Sequence, residues 1–291
     1  MSDPKILLFG SSGLLGTHIY DALNLEYTLV TVSNISTDSD YQIDATHIES
    51  ISKILTKEKP DIIINAVKNN LSTDQCELNK KDVWATNVSI PENLIRLQKS
   101  FNYRLIHIST DWVYEGKKGE VYTESSIIYP QNFYSFSKAV AEERIIQFSS
   151  DFLILRPTGI FGFHLTNKNL FMRVKAAAEA NVQTTVPMDQ FSQPVSARTL
   201  AMVISAAIKK KVQGVYNAVG KTYLSRYDFA LLLCDVFDWP KSTIVPIEAS
   251  SRSIKIPQYL NIDISKCERD ITTLPDIKDQ IVDLKQQLKG H

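Results

Sequence analysis

The segment "YSFSK" places Tyr134 and Lys138 four residues apart. On a helix this spacing puts both side chains on one face. A phenol has a pKa of about 10 in water, and a nearby ammonium lowers that pKa by favouring the phenolate. Such a pair can move protons near neutral pH. Ordinary surface Tyr–Lys pairs have the same spacing, so the spacing alone does not establish a catalytic site.

A second polar group follows the apolar segment "RLIHI", which predicts a strand. Ser109, Thr110 and Asp111 come directly after it. The carboxyl ends of parallel strands are where doubly wound sheets place their chemistry. The hydroxyl of Thr110 and the phenol of Tyr134 can then converge on one carbonyl oxygen. The alternative is that the three residues form a polar turn or helix cap.

The glycines Gly10, Gly13 and Gly16 in "FGSSGLLG" follow the apolar run "KILL". A sharp strand-to-helix turn needs residues without a Cβ. A helix N-terminus also offers free N–H groups to a phosphate, provided that no side chain blocks the approach. The spacing differs from G-x-G-x-x-G, but its position at the first strand–helix junction predicts dinucleotide binding.

The end of the second predicted strand helps to distinguish two dinucleotides. An acidic residue at this point usually bonds the ribose hydroxyls of NAD. Here the strand ends in Ser33 and Asn34, which would not repel a 2′-phosphate. The sequence therefore favours NADP, with NAD still open. Asp44, further along, either faces the adenine or caps the next helix.

The elements that position these residues alternate short apolar strands with helices. This rhythm predicts right-handed crossovers and a Rossmann-type, doubly wound parallel sheet of the α/β class. We expect residues 1–156 to form the NAD(P)-binding domain. Residues 157–291, which are richer in short elements, are expected to form a smaller substrate-binding lobe, partly interleaved with the sheet domain.

The overall composition excludes several functional classes. The chain has 291 residues, with 32 basic and 32 acidic side chains, so no global field would attract nucleic acid or a membrane surface. Three scattered cysteines argue for a reducing compartment, and the cytoplasm is the expected location. No spacing predicts a metal site, and no apolar run is long enough to span a bilayer.

Taken together, the motifs resemble those of the extended short-chain dehydrogenases/reductases. The segments that carry the resemblance are the glycine motif, "NAV" from Asn65, "STDWVY" from Ser109, and Tyr-x-x-x-Lys. "STDWVYEG" and "DQFSQPVSARTLA" are similar to blocks of the dTDP-4-dehydrorhamnose reductase branch. The resemblance covers most of the chain.

The resemblance implies a reductase of a nucleotide-linked keto sugar in deoxysugar or polysaccharide synthesis. Tyr134 would donate a proton to the forming alkoxide, Thr110 would bond the same oxygen, and Lys138 would tune Tyr134 and hold the cofactor ribose. Asp111 and Gly159 would contact the substrate. The expected cofactor-binding residues are Gly10, Ser11, Ser12, Gly13, Leu14, Leu15, Gly16, Ser33, Asn34, Asp44, Ala45, Asn65, Ala66, Val67, Asn87, Ser109, Tyr134 and Lys138.

Some departures leave the substrate open. Gly159 stands where these reductases usually carry a tryptophan, Ile256 replaces an expected arginine, and Lys68 replaces a small residue. A dehydratase would need a glutamate where Trp112 stands. Two alternatives remain: a sugar-nucleotide epimerase, or a non-catalytic NADP-binding regulator that resembles the β subunit of methionine adenosyltransferase. We also expect a homodimer.

Overall fold

A seven-stranded parallel sheet forms the centre of the molecule, in the order β10-β7-β5-β4-β1-β2-β3. This computed structural model describes residues 4–165, 169–249 and 254–289. The strands within those ranges are β1 (Lys5–Phe9), β2 (Thr28–Ser33), β3 (Tyr41–Gln42), β4 (Ile62–Asn65), β5 (Arg104–Ile108), β6 (Val121–Tyr122), β7 (Phe152–Arg156), β8 (Thr184–Pro187), β9 (Phe191–Ser192), β10 (Gly214–Asn217), β11 (Leu224–Ser225), β12 (Ile244–Ile247) and β13 (Asn261–Ile262).

Helices cover both faces of the sheet. The α-helices are α1 (Leu14–Leu23), α2 (Ile48–Glu58), α3 (Thr73–Leu78), α4 (Lys80–Trp84), α5 (Ile90–Phe101), α6 (Phe133–Phe148), α7 (Leu170–Ala180), α8 (Ala197–Lys209), α9 (Arg226–Phe237), α10 (Ser265–Asp270) and α11 (Ile277–Lys289). A π-helical turn at Ala85–Ser89 joins α4 to α5, and short 3₁₀ turns lie at Asp111–Val113 and Lys241–Thr243.

The central strands are apolar on both sides because both faces are covered. Ile6 and Leu8 of β1 pack with α1 and α8, whereas Leu7 and Phe9 pack with α2, α5 and α6. Continuous apolar runs are typical of such strands. The strand order reverses between β1 and β4, and a doubly wound sheet has its ligand crevice at that point.

The second half of the chain contributes to the sheet domain and also forms a separate core. Strand β10 pairs with β7, and α8 packs on α1. Helices α7, α9 and α11 build their own apolar cluster with the β8–β12 pair. The predicted α/β class and the interleaving are therefore confirmed, while the boundary at residue 156 stays a prediction.

Candidate functional site

The glycine turn lies at the carboxyl end of β1 and opens α1. Gly10 has φ +79, and a Cβ there would lie 2.8 Å from the backbone of Ala66. A Cβ on Gly16 would lie 2.1 Å from the carbonyl oxygen of Gly10. Gly13 is the N-cap of α1, so no side chain covers the free N–H groups of the first turn. The turn is thus a cradle that fits an anion.

The two leucines that begin α1 are buried. Leu14 and Leu15 are 5% and 8% exposed, and Leu15 belongs to the apolar core beneath the helix. Because both side chains are buried, Leu14 and Leu15 can contact the predicted anion only through their backbone amides.

Serines join this turn to the end of β2. The hydroxyls of Ser12 and Ser33 lie 2.8 Å apart, and Ser33 Oγ also accepts from the amides of Ile35 and Ser36. Ser11 donates to the Val32 carbonyl. Ser33 therefore holds the loop and is not free for a ligand.

Asn34 differs from Ser33 in being exposed at the end of β2. The next two residues along the chain, Ile35 and Ser36, line a pocket of about 440 Å³. The ring of His164 approaches the carbonyl of Ser12 at 3.0 Å from the other side. The lining residues of the pocket are Ser12, Ile35, Ser36, Phe163, His164 and Leu165. Sequence reasoning missed Phe163 and Leu165, which lie far from the glycine turn along the chain.

Asp44 is engaged in a local turn. Its Oδ1 accepts from the backbone N of Thr46 at 2.9 Å and from the Thr46 hydroxyl at 2.7 Å. The N-cap of α2 is His47, so Asp44 is not the helix cap that we weighed as an alternative. Ala45 is buried, and its carbonyl accepts from Asn93. Contact of Asp44 or Ala45 with adenine stays a prediction.

The loop after β4 borders the glycine turn. Asn65 contacts Nδ1 of His107 at 3.2 Å through Nδ2 and accepts from the amide of Val67 through Oδ1. The amide of Ala66 donates to Phe9. The side chain of Asn65 is thus committed to positioning the loop, which leaves Ala66 and Val67 as the half-buried residues next to Gly10.

Thr110, Tyr134 and Lys138 meet at the carboxyl end of β5. Tyr134 is the second residue of α6, whose N-terminus is capped by Asn132. The Thr110 hydroxyl interacts with the Tyr134 phenol. Lys138 is 4% exposed, and its Nζ donates to the carbonyl of Ile108 at 2.7 Å. The structure brings together the three residues that the sequence nominated as catalytic.

The protonation of this group differs from expectation. Tyr134 as a residue is half-buried, but desolvation of its phenol raises its pKa to about 12. Lys138 is not among the groups that lower the pKa of this phenol, and its ammonium donates to the carbonyl of Ile108. Desolvation lowers the pKa of Lys138 itself to about 8, with Glu142 opposing this shift and Lys68 adding to it. Tyr134 therefore carries its proton at neutral pH and is set up as an acid.

Two buried polar atoms point to a further contact near the same helix. Asn87 lies in the π-helical turn and donates to Ser137 at 2.9 Å, but its Oδ1 has no hydrogen-bond partner within the described ranges. The hydroxyl of Ser109 is likewise unpartnered there. Buried polar groups are normally satisfied, and π-helical turns are frequent at functional sites. Both residues fit the predicted cofactor-binding set.

The two residues predicted to contact the substrate, Asp111 and Gly159, differ in their exposure. Asp111 is 0% exposed and lies behind Thr110, so direct contact with a substrate is wrong for this structure. Gly159 is exposed in the crevice with φ +47. A tryptophan would be strained in that left-handed conformation. The crevice therefore lacks an aromatic wall at this point.

Sequence reasoning missed the ion pair that anchors α6. Arg156, at the end of β7, bonds Glu142 through Nη2 at 2.6 Å and through Nε at 3.0 Å. Both side chains are 3% exposed. Glu142 follows Lys138 by four residues, and this helical spacing was the available signal.

Metal-binding clusters and membrane-spanning helices are both absent from residues 4–165, 169–249 and 254–289. No group of three histidine, cysteine or acidic side chains there could hold a metal ion. No helix in those ranges is both long and apolar enough to cross a membrane.

Comparison with known proteins agrees with this geometry. The family profile described as RmlD substrate binding domain matches residues 4–289. The chain is similar to dTDP-4-dehydrorhamnose reductase of Aggregatibacter actinomycetemcomitans, with 27% identity over 246 residues, or 79% of this chain and 78% of that protein. It is also similar to methionine adenosyltransferase 2 subunit beta of Xenopus laevis, with 23% identity over 275 residues, or 91% and 82%.

A solved structure extends the likeness to the whole fold. The crystal structure of dTDP-4-dehydrorhamnose reductase from Bacillus anthracis in complex with NADP superposes with a TM-score of 0.90. The match covers 99% of this chain and 100% of that one, at 20% identity, and therefore shows the fold alone. With the family profile spanning nearly every residue, the chain belongs to the RmlD substrate binding domain family of extended short-chain dehydrogenase/reductase-like proteins.

Proposed function

We propose that the protein is an NADPH-dependent reductase that converts the keto group of a nucleotide-linked sugar into a hydroxyl, in the manner of dTDP-4-dehydrorhamnose reductase. The observation that carries the proposal is the meeting of Thr110, Tyr134 and Lys138 at the end of β5, on the same edge of the parallel sheet as the glycine turn. The similar reductases named above support the substrate class.

The cofactor fits the residues present. The cradle at Gly13 and Gly16 has room for a pyrophosphate. The side-chain Oδ1 of Asn87, which has no partner among the described residues, can accept a hydrogen bond from a ligand. When bound, the reduced nicotinamide supplies the hydride. Ser11, Ser12 and Ser33 order the loop beside this cradle, and the exposed side chain of Asn34 would hold the 2′-phosphate.

The protein's own residues manage the charge on the keto oxygen. Negative charge develops there in the transition state, and donors fixed in place lower the barrier. Tyr134 holds the proton that the oxygen receives, since its pKa is raised to about 12. Thr110 offers a second hydrogen bond. Lys138 lies one helical turn from Tyr134 and holds a positive charge near the forming anion.

The test is a turnover assay with a panel of 4-keto sugars linked to dTDP, UDP or GDP. Turnover is measured as the loss of NADPH absorbance. We expect turnover with at least one of them. Tight binding of NADPH with no turnover of any sugar would contradict the proposal. That result would favour the regulatory class to which methionine adenosyltransferase subunit β belongs.

The glycine turn gives a prediction with an internal control. Gly13→Ala should leave the free energy of unfolding within about 0.5 kcal/mol, since the nearest atom to the new Cβ is 3.4 Å away. It should still raise the Kd for NADPH about tenfold or more, because the methyl group blocks the cradle.

Gly16→Ala should damage folding as well. Its Cβ would overlap the carbonyl oxygen of Gly10, and overpacking of this kind costs about 1–3 kcal/mol. Urea unfolding and fluorescence titration measure the two quantities. Equal stability of the two variants would show that the turn tolerates a side chain at Gly16.

Cofactor preference gives a second prediction. Asn34→Asp should raise the Kd for NADPH about tenfold or more, while the Kd for NADH changes by less than about twofold, because a carboxylate repels the 2′-phosphate. Asn24→Asp makes the same charge change at the far end of α1 and is the control. An equal loss for both dinucleotides would place the 2′-phosphate elsewhere.

The organisation of the chain completes the proposal. Residues 1–156 hold the dinucleotide, and residues 157–291 supply the sugar-binding lobe that is interleaved with the sheet. The cytoplasmic location, the homodimer and the absence of nucleic-acid or membrane partners stay predictions from the sequence. The balance of 32 basic and 32 acidic side chains supports the last of these.

A further inference from the structure

Asp111 is a buried carboxylic acid beside Thr110 and Tyr134 of the catalytic group. Its Oδ1 lies 3.4 Å from Oγ1 of Thr110. Its Oδ2 has no hydrogen-bond partner in the part of the chain that the structure describes. The backbone N of Asp111 donates to Pro157, which fixes the residue between β5 and β7. With 0% exposure, Asp111 can influence a substrate only through Thr110.

The groups around Asp111 do not neutralise it. From α6 it faces the phenol of Tyr134, and from the segment after β7 it faces the hydroxyl of Thr158. The nearby cation Lys138 is bonded to the carbonyl of Ile108, and the guanidinium of Arg156 is bonded to Glu142 and Tyr114.

Two further titratable groups interact with the neighbours of Asp111. Lys68 interacts with Lys138, and the Cys76 thiol with Tyr134. No ion pair to Asp111 exists among the described residues. Burial raises the pKa of Asp111 to about 7, although hydrogen bonds from Thr158 and Thr110 oppose the shift. Both protonation states are therefore accessible near neutral pH.

The hydrogen bonds of Thr110 depend on which state is present. A hydroxyl has one proton to donate and two lone pairs to accept with. Thr110 Oγ1 already accepts from the backbone N of Trp112 at 3.3 Å. A protonated Asp111 fills the second lone pair, so the Thr110 proton is left for the side where Tyr134 lies. An ionised Asp111 can only accept, and it draws the Thr110 proton to itself.

We propose that Asp111 is a positioning residue which, when protonated, donates to Thr110 and thereby directs the Thr110 hydroxyl at the keto oxygen of the substrate. This rests on the proposed reductase function. Ionised Asp111 removes that hydrogen bond, so the charge on the forming alkoxide is less well stabilised and the reaction slows. The rate of hydride transfer should accordingly fall as the pH rises through the titration of Asp111.

The test compares the pH dependence of single-turnover NADPH oxidation in three proteins. The wild type should lose about tenfold or more of its rate between about pH 6 and about pH 9. Asp111→Asn has no ionisable group at this position, so the part of the decline centred near pH 7 should disappear and only the titration of Lys138, whose pKa is about 8, should remain. Thr110→Val should be slow at every pH and should lack the same part of the decline, because the hydroxyl through which Asp111 acts is missing.

The shape of the profile separates this role from a structural one. A carboxylate that only supports the fold would lower stability in Asp111→Asn and leave the decline near pH 7 in place, and that result would overturn the proposal. Persistence of the decline near pH 7 in Thr110→Val would overturn it too. Thr110→Val keeps the test decisive if Asp111→Asn fails to fold.

A second measurement does not depend on turnover. Infrared difference spectra of the wild-type protein should show the carbonyl band of a protonated carboxylic acid at about pH 6 that is lost by about pH 9. The band should be absent in Asp111→Asn. If no keto sugar is reduced but the band titrates, the proposed reductase function is wrong, while the titration of buried Asp111 near neutral pH is confirmed. If sugars are reduced but the band is missing, Asp111 is ionised throughout and the proposal fails.

Discussion

Tyr134→Phe is expected to lower kcat by about two orders of magnitude or more and to leave the Kd for NADPH within about twofold. The phenol lies beside the Thr110 hydroxyl and retains its proton well above neutral pH, since burial raises its pKa to about 12. Phenylalanine keeps the ring and its edge contact with Trp112, at a centroid distance of 6.1 Å. Only the proton and its hydrogen bond are removed.

The measurement is single-turnover NADPH oxidation together with a fluorescence titration of the cofactor. Tyr20→Phe removes a hydroxyl from an exposed tyrosine on α1 and should leave both quantities unchanged. A Tyr134→Phe enzyme that retains the full rate would mean that another group supplies the proton. In that event the geometry at the end of β5 would have to be reinterpreted.

The features that the sequence predicts well are those set by short spacing or by strand ends. Tyr134 and Lys138 share a helical face because they are four residues apart, and Thr110 follows a strand whose apolar residues identify it. The crevice at the end of β1 follows from general rules for parallel sheets. None of these inferences needs to know which distant residues meet.

The features that sequence reasoning missed all depend on distant contacts or on burial. Ser33 looks like a phosphate ligand until its hydroxyl is found between Ser12 and two loop amides. The lower pKa that Lys138 was expected to give Tyr134 is outweighed by burial of the phenol, and the ammonium donates to the carbonyl of Ile108 at 2.7 Å. Desolvation, which raises the pKa of Tyr134, is a property of packing that spacing alone does not reveal.

The ion pair between Glu142 and Arg156 shows the same limitation with larger energetic consequences. In the sequence, Glu142 is one charged residue of a predicted helix and Arg156 one charged residue at a strand end, so neither residue by itself indicates that they pair. In the structure the pair joins α6 to β7, and Arg156 continues to the hydroxyl of Tyr114 at 2.6 Å. Tyr114 in turn donates to Asn217 on β10 at 2.8 Å. The helix that carries Tyr134 and Lys138 is thus tied to the sheet by buried charge.

Glu142→Gln is therefore expected to lower the free energy of unfolding by about 3–5 kcal/mol. The substitution keeps the shape of the side chain but leaves the Arg156 guanidinium buried without its anion, and an uncompensated buried charge costs about that much. Urea unfolding measures the loss. Glu143→Gln, at the neighbouring exposed position of α6, should change the same quantity by less than about 0.5 kcal/mol.

A double variant distinguishes an unpaired charge from a loss of packing. Glu142→Met combined with Arg156→Leu removes both charges, and replacing a buried pair with apolar side chains is often nearly neutral. We expect the double variant to be more stable than Glu142→Gln. The Glu142 charge also opposes the lowering of the pKa of Lys138, so its removal should lower that pKa below about 8 and the ammonium should be lost at a lower pH. If Glu142→Gln unfolds at the same urea concentration as Glu143→Gln, then packing against the sheet, and not the ion pair, holds the catalytic helix in place.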